Sequence, residues 1–284
     1  MNRAERRRQA KATSTPSSPL KGSGTPQFSV LVIKNQLQRS NSPEEARQLL
    51  DGLVRQGLPA MASAELSAYA AQYHETTAAL RAGTDAESVA AVVDNAHAWA
   101  DAMIDRSPER DHRACRAGCA FCCYLPTVLV TAAEAVHLAA WLQEHLSPEE
   151  LAALRQRLAQ RCEQTIQSSS SSPSEKPPLP CALLRDNQCM VYPARPLKCR
   201  GWNSLRREAC EQAYGDSPSV GQVPADAYAF LVGNAVLNGL SDGVKAATLD
   251  GGSYDLSFAL ARVLDMPDAV HRWRNGERLF ADSL

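Results

Sequence analysis

Four thiols fall within nine residues in Cys115-Arg-Ala-Gly-Cys119-Ala-Phe-Cys122-Cys123, and Cys181, Cys189 and Cys199 follow after a gap of 57 residues. Thiolates bind zinc and iron, and two or three residues between cysteines let a tight turn aim their sulfurs at one point. Gly118 suits that turn because it adopts positive φ without a Cβ clash. The pattern predicts one inorganic centre closed by sulfur from two remote stretches, holding zinc or iron, with a 4Fe-4S cluster among the forms the thiols could ligate. Adjacent Cys122 and Cys123 do not easily meet the same tetrahedral ion. Either two sites share the group, or one of these thiols supports the other. Cys210, in Arg207-Glu-Ala-Cys210, is an eighth candidate ligand, and His112 offers an imidazole near the first group. Cys162 stands alone on a leucine stripe and reads as a small buried hydrophobe.

Charge near the sulfurs matters as much as the sulfurs. Four thiolates on a divalent ion leave a net charge of about −2, which neighbouring guanidinium groups neutralise and orient. In Val191-Tyr-Pro-Ala-Arg-Pro-Leu-Lys-Cys199-Arg-Gly-Trp-Asn203, Arg195 and Arg200 are the expected cations behind the ligands. The chain shows no acid/base pair or nucleophile–base constellation that would announce a particular reaction.

The elements that must position these groups read as helices. Ser42-Pro43-Glu44-Glu45, Thr84-Asp85-Ala86-Glu87, Thr131-Ala132-Ala133-Glu134 and Ser147-Pro148-Glu149-Glu150 each place a hydroxyl where it caps a helix and a carboxylate three residues on. The apolar stripes Ala46/Leu49/Leu50/Leu53, Leu66/Tyr69/Ala70/Tyr73/Thr77/Leu80 and Val89/Val92/Val93/Ala96/Trp99/Ala100/Met103 predict three helices before the cysteines. Gly57 and Gly83 stop the first two. Helical spacing resumes over Tyr228 to Leu240, Tyr254 to Leu264 and Ala269 to Trp273. No strand–helix alternation is visible, so the fold class is mainly α: a helical bundle with a loop-rich cysteine cluster joining two distant segments. The expected organisation is a disordered basic tail over 1–40, an N-terminal helical region over 41–107, a cysteine-cluster metal-binding domain over 108–214 with a flexible Ser/Pro loop at 168–180, and a C-terminal helical region over 215–284.

Composition narrows the function classes. The chain has 284 residues and a formal net charge of −1, which argues against a general polyanion binder. The first eleven residues carry five positives against one negative, but no aromatic residue is interleaved, as single-stranded nucleic acid binding would need. Nucleic acid is therefore not an expected partner, whereas an unknown protein partner is open. The polar, proline-rich residues after the basic start do not resemble a secretory leader, and no apolar run is long enough for a membrane span. Nine cysteines, an odd number, fit a reducing cytoplasmic compartment better than a disulfide framework.

The paired cysteines 122–123, Pro-Cys181, Cys189-Met-Val-Tyr192 and Arg195-Pro-Leu-Lys-Cys199-Arg200 together resemble the cysteine-cluster family named for its CxxCxxCC signature. That family includes YkgJ-type proteins and flagellin lysine N-methylases. The resemblance covers about Cys115 to Cys210 and implies zinc or iron chelation by these cysteines. This chain has one more residue between the first two cysteines, CxxxCxxCC, which makes Cys115 the loosest match. Cys115-xxx-Cys119-x-Phe121-Cys122 also has the cysteine spacing of radical S-adenosylmethionine enzymes, but the strand–helix repeats of their barrel are missing. The expected function is a structural or metal-handling module. The competing expectation is an iron–sulfur-dependent methyltransferase resembling flagellin lysine N-methylase.

Overall fold

Capping chemistry sets the helix starts. The computed structural model describes residues 28–83, 85–116, 118–124, 127–170, 179–215 and 223–280. It is mainly helical, as the periodicity predicts, with eleven α-helices among the described residues and only short strands. Helices α1 (Val30–Arg39), α2 (Pro43–Arg55), α3 (Ala60–Ala82) and α4 (Ala86–Ile104) precede the cysteines. Ser42 Oγ accepts from the Glu45 N–H at 3.1 Å, and α2 gives way at Gly57, whose φ is +98°. Asp85 caps α4, its carboxylate accepting from the Ser88 N–H at 2.7 Å, whereas Thr84, the hydroxyl expected there, lies outside the described residues.

The expected basic tail falls on two kinds of residue. Residues 1–27 lie outside the described residues, and 30–39 form α1. Ser29 caps this helix, and Ile33 and Leu37, four apart on one face, are buried against the body. That packing, not propensity, makes a helix of a segment the polar composition of the tail had obscured.

Strand β1 (Leu129–Thr131) leads into α5 (Ala132–His145), followed by α6 (Pro148–Ser170). Thr131 and Glu134 form the full reciprocal capping box at the start of α5. Helix α6 extends to Ser170, and 171–178, most of the expected Ser/Pro loop, lie outside the described residues. A hairpin of β2 (Leu184–Arg185) and β3 (Gln188–Cys189) comes next, then α7 (Leu197–Gly201) and α8 (Arg207–Gly215). Helix α9 (Ala227–Ala246) crosses the molecule, β4 (Ser253–Asp255) pairs antiparallel with β1, and α10 (Leu256–Val263) and α11 (Ala269–Arg274) close the chain.

One buried cluster runs from Ile33 to Phe280. The regions before and after the cysteines are thus two halves of one core, centred on α9 packed along α3. Small residues permit that approach. A Cβ on Gly239 would stand 2.6 Å from the Tyr69 carbonyl oxygen, and one on Gly243 would stand 2.7 Å from the Thr76 Cβ. No helix among the described residues is long and apolar enough to cross a membrane.

Candidate metal centre

Seven of the predicted ligands border one cavity. Cys115, Cys119, Cys122, Cys123, Cys181, Cys189 and Cys199 line one cavity of about 220 Å³, whose wall also includes Tyr192, Arg195, Lys198 and Trp202. All nine cysteines are free and half-buried.

Local backbone geometry explains the convergence. Gly118 takes φ +84°, as its position in the first group predicts, and Cys119 N–H closes a turn on the Arg116 carbonyl at 3.0 Å. A short 3₁₀ turn over Phe121–Tyr124 then carries the adjacent pair, with Cys123 N–H bonded to the Ala120 carbonyl at 2.9 Å. The second stretch is clipped to the first by a backbone bond from Cys181 N–H to the Cys123 carbonyl at 2.6 Å. Between Cys181 and Cys189 the chain reverses through Asp186 and Asn187, both in the left-handed region at φ 51° and 58°. Two such residues make the turn type whose twist suits a hairpin. Cys199 comes from α7, held in place by Glu134, whose Oε1 accepts the Leu197 N–H at 2.8 Å.

The electrostatics favour thiolates at particular sulfurs. Cys115 Sγ accepts the Ser204 N–H at 3.1 Å, and backbone N–H groups of Leu183 and Val191 point at the sulfurs of Cys181 and Cys189. An N–H aimed at sulfur stabilises the anion that a metal requires. Without a cation, burial dominates: it pushes Cys115 and Cys181 up to about 11 and holds Cys189 and Cys199 above the usual thiol range. Cys122 goes the other way, down to about 7, chiefly because it accepts a hydrogen bond from Cys123, with Arg195 assisting. Cys123 is raised as the donor of that bond. The adjacent thiols therefore divide into an acceptor and a donor.

Arg195 sits where the sequence places it. It lies in the cavity wall, its guanidinium carbon is 4.2 Å from the centroid of the Tyr192 ring, and its buried Nε has no hydrogen-bond partner. An orphaned cationic donor is costly unless an anion faces it, so the wall fits a negatively charged thiolate centre.

Arg200 does not fill the role expected of it. It is buried but absent from the wall, with Nη1 on Asp101 Oδ2 at 2.5 Å, Nε on the Arg195 carbonyl at 2.9 Å and Nη2 on the Pro193 carbonyl. Its donors are committed to the loop that carries Arg195, so it shapes the site instead of neutralising sulfur. Cys210, on α8, also stays outside the wall. Its thiol bonds Ser204 and lies within electrostatic reach of Cys119 and Cys122. His112 is exposed and bonded to Glu109 at 3.3 Å, and Cys162 lies on α6 away from the wall.

Sequence reasoning missed Lys198, whose Nζ is held by Asn234 Oδ1 at 2.8 Å beside the cavity, and Glu134, whose second task is to brace α7. The signal for Glu134 was present in its capping box; the bond to Leu197 spans 63 positions and leaves no local trace. Among the described residues, no three of the thiols have sulfurs all within 4.8 Å of one another. No family model, curated protein or solved structure matches the chain.

Proposed function

We propose that this protein is a metal-binding module of the cysteine-cluster type, in which the thiol-lined cavity holds zinc or iron in a structural or metal-handling role. The observation that carries this reading is the meeting of seven thiols from two remote stretches around one cavity with the unpartnered Arg195 Nε in its wall. A soft cation bound by four or more thiolates would satisfy both the sulfurs and that guanidinium. Cys115, Cys119, Cys122, Cys123, Cys181, Cys189 and Cys199 form the proposed ligand set, and Cys210 stays outside the wall.

The spacing bears on the kind of centre. A single tetrahedral zinc with bonds of about 2.3 Å draws its sulfurs to within roughly 4 Å of one another. An iron–sulfur cluster instead occupies the space between its ligands, and seven thiols around one cavity accommodate either kind of centre. A cytoplasmic, reducing compartment agrees with nine free thiols.

Anaerobic purification, metal and sulfide analysis and an absorption spectrum test the reading together. A brown protein with iron and acid-labile sulfide supports the cluster and moves weight toward electron or methyl transfer, whereas colourless protein with stoichiometric zinc supports a structural site. Cys122→Ser and Cys199→Ser are expected to lose most of the metal. Full metal content in both variants overturns the ligand assignment.

A further inference from the structure

A second group of ligating side chains lies on the far side of Glu134 from α7. Helix α4 carries Asp94 and His97, and α5 carries Glu134 and His137. Each helix therefore presents a carboxylate and an imidazole three positions apart, which places both on one face. The helices bring these faces together. A carboxylate oxygen of Asp94 and one ring nitrogen each of His97 and His137 all lie within 4.8 Å of one another, and they form the one such trio of His, Cys, Asp and Glu among the described residues. His137 Nε2 is 3.2 Å from Asp94 Oδ1, and His97 Nε2 is 3.9 Å from Glu134 Oε1.

Burial and hydrogen bonding separate this trio from an ordinary surface ion pair. The side chains of His97 and His137 are only 7% and 8% exposed; His137 Nε2 meets Asp94 and His97 Nε2 faces Glu134 at ion-pair distance, yet neither nitrogen makes a well-aligned hydrogen bond. Buried imidazole nitrogens whose hydrogen bonding is this incomplete are costly, and a cation shared with Asp94 would satisfy them. Their ring centroids stand 6.1 Å apart, edge to face, which holds the two imidazoles together but leaves their Nε2 atoms poorly satisfied. Asp94 is 65% exposed, which opens the group to solvent on one side. Glu134 accepts from the Thr131 N–H and hydroxyl and from the Leu197 N–H and lies 3.9 Å from His97, and so stands behind the trio instead of in it.

We infer that Asp94, His97 and His137 form a second metal site, taking a first-row divalent transition ion through two imidazole nitrogens and one carboxylate oxygen. Imidazole with carboxylate suits zinc, iron(II) or cobalt(II), whereas the thiol cavity is the softer site. Three protein ligands leave a position for water on the side where Asp94 meets solvent. The two sites are joined by Glu134, which lies beside His97 and holds the Leu197 N–H, two residues before Cys199. The site does not depend on the thiol reading, because it shares no ligand with the cavity.

Anaerobic titration of the full chain with cobalt(II) separates the two sites, since thiolate ligands produce intense sulfur-to-cobalt charge-transfer absorption and imidazole or carboxylate ligands do not. The wild type is expected to bind one equivalent that shows ligand-field bands alone. Asp94→Asn should weaken that equivalent by at least about tenfold, and His137→Gln should abolish it, with any sulfur-derived band unchanged in both. Cys122→Ser with Cys199→Ser should do the opposite. Asp94 is exposed, so its substitution leaves the fold intact even if the buried histidine variant, monitored by circular dichroism, does not. Wild-type cobalt affinity and spectrum in Asp94→Asn, or no sulfur-free equivalent in the wild type, overturns the site.

Discussion

Arg113 reaches from the start of the first cysteine group to Asp226, with 2.9 Å between Nε and Oδ2, and its Nη2 bonds the Ile104 carbonyl. Asp226 is fully buried and caps α9 through the Ala229 N–H at 2.9 Å. Burial pushes its carboxyl up, but bonds from the Ala229 N–H, Ser107 and Arg113 outweigh this and hold it below the ordinary carboxylate range. Asp226→Ala removes the cap and one charged partner of a nearly buried guanidinium that keeps Asp105 at 3.6 Å and the Ile104 carbonyl, so a loss of about 2–4 kcal/mol is expected by chemical denaturation. The sign with pH follows from the depressed value. The carboxylate's contribution is present above the ordinary range and fades as pH falls below about 4. The gap between wild type and Asp226→Ala should therefore narrow in acid; a gap independent of pH would contradict the assignment.

At the scale of elements, close backbone contact decides where the cavity thiols stand. Gly233 of α9 faces Gly201 of α7, and a Cβ on Gly233 would lie 2.8 Å from the Gly201 Cα. Backbone cannot rotate aside as a side chain can, so Gly233→Ala must push α7, and Cys199 with it, away from α9. Weaker metal retention with little loss of helical content is the expected outcome, read by metal analysis beside circular dichroism. Gly239→Ala strikes α3 instead, at the Tyr69 carbonyl 2.6 Å from the added Cβ. Its cost is expected to be about 1–3 kcal/mol, a fall in Tm of several degrees for a chain of this size, with metal content per folded molecule unchanged.

For the whole molecule, an ion in the thiol cavity would bind segments that come from opposite sides of α5 and α6 in the chain. Metal that binds the folded state alone stabilises it by mass action, about 4 kcal/mol when free metal exceeds Kd a thousandfold. Chelation should therefore lower the unfolding temperature of the loaded protein and leave the Cys122→Ser variant almost unmoved. Equal shifts in both would place the stabilising metal elsewhere, with the trio on α4 and α5 as the candidate. The shared core running from Ile33 to Phe280 predicts a cooperative transition, in which the regions before and after the cysteines melt together.

Local chemistry in the chain was enough to determine the mainly helical class, most helix starts and the cysteine groups as candidate ligands. Capping hydroxyls, apolar stripes of helical period and closely spaced thiols act over a few residues, so Ser42, Thr131, Ser147 and Gly118 could be read directly. Tertiary structure decided what depends on remote partners. It turned Arg200 toward Asp101 and the Pro193 and Arg195 carbonyls, left Cys210 beside Ser204, made α1 from Ile33 and Leu37, and set His97 against His137. Side-chain direction is chosen by whichever acceptor or apolar surface the fold delivers, and those neighbours lie tens to hundreds of positions away along the chain. The thiols announce themselves by their spacing; the histidines came together only when two helices packed.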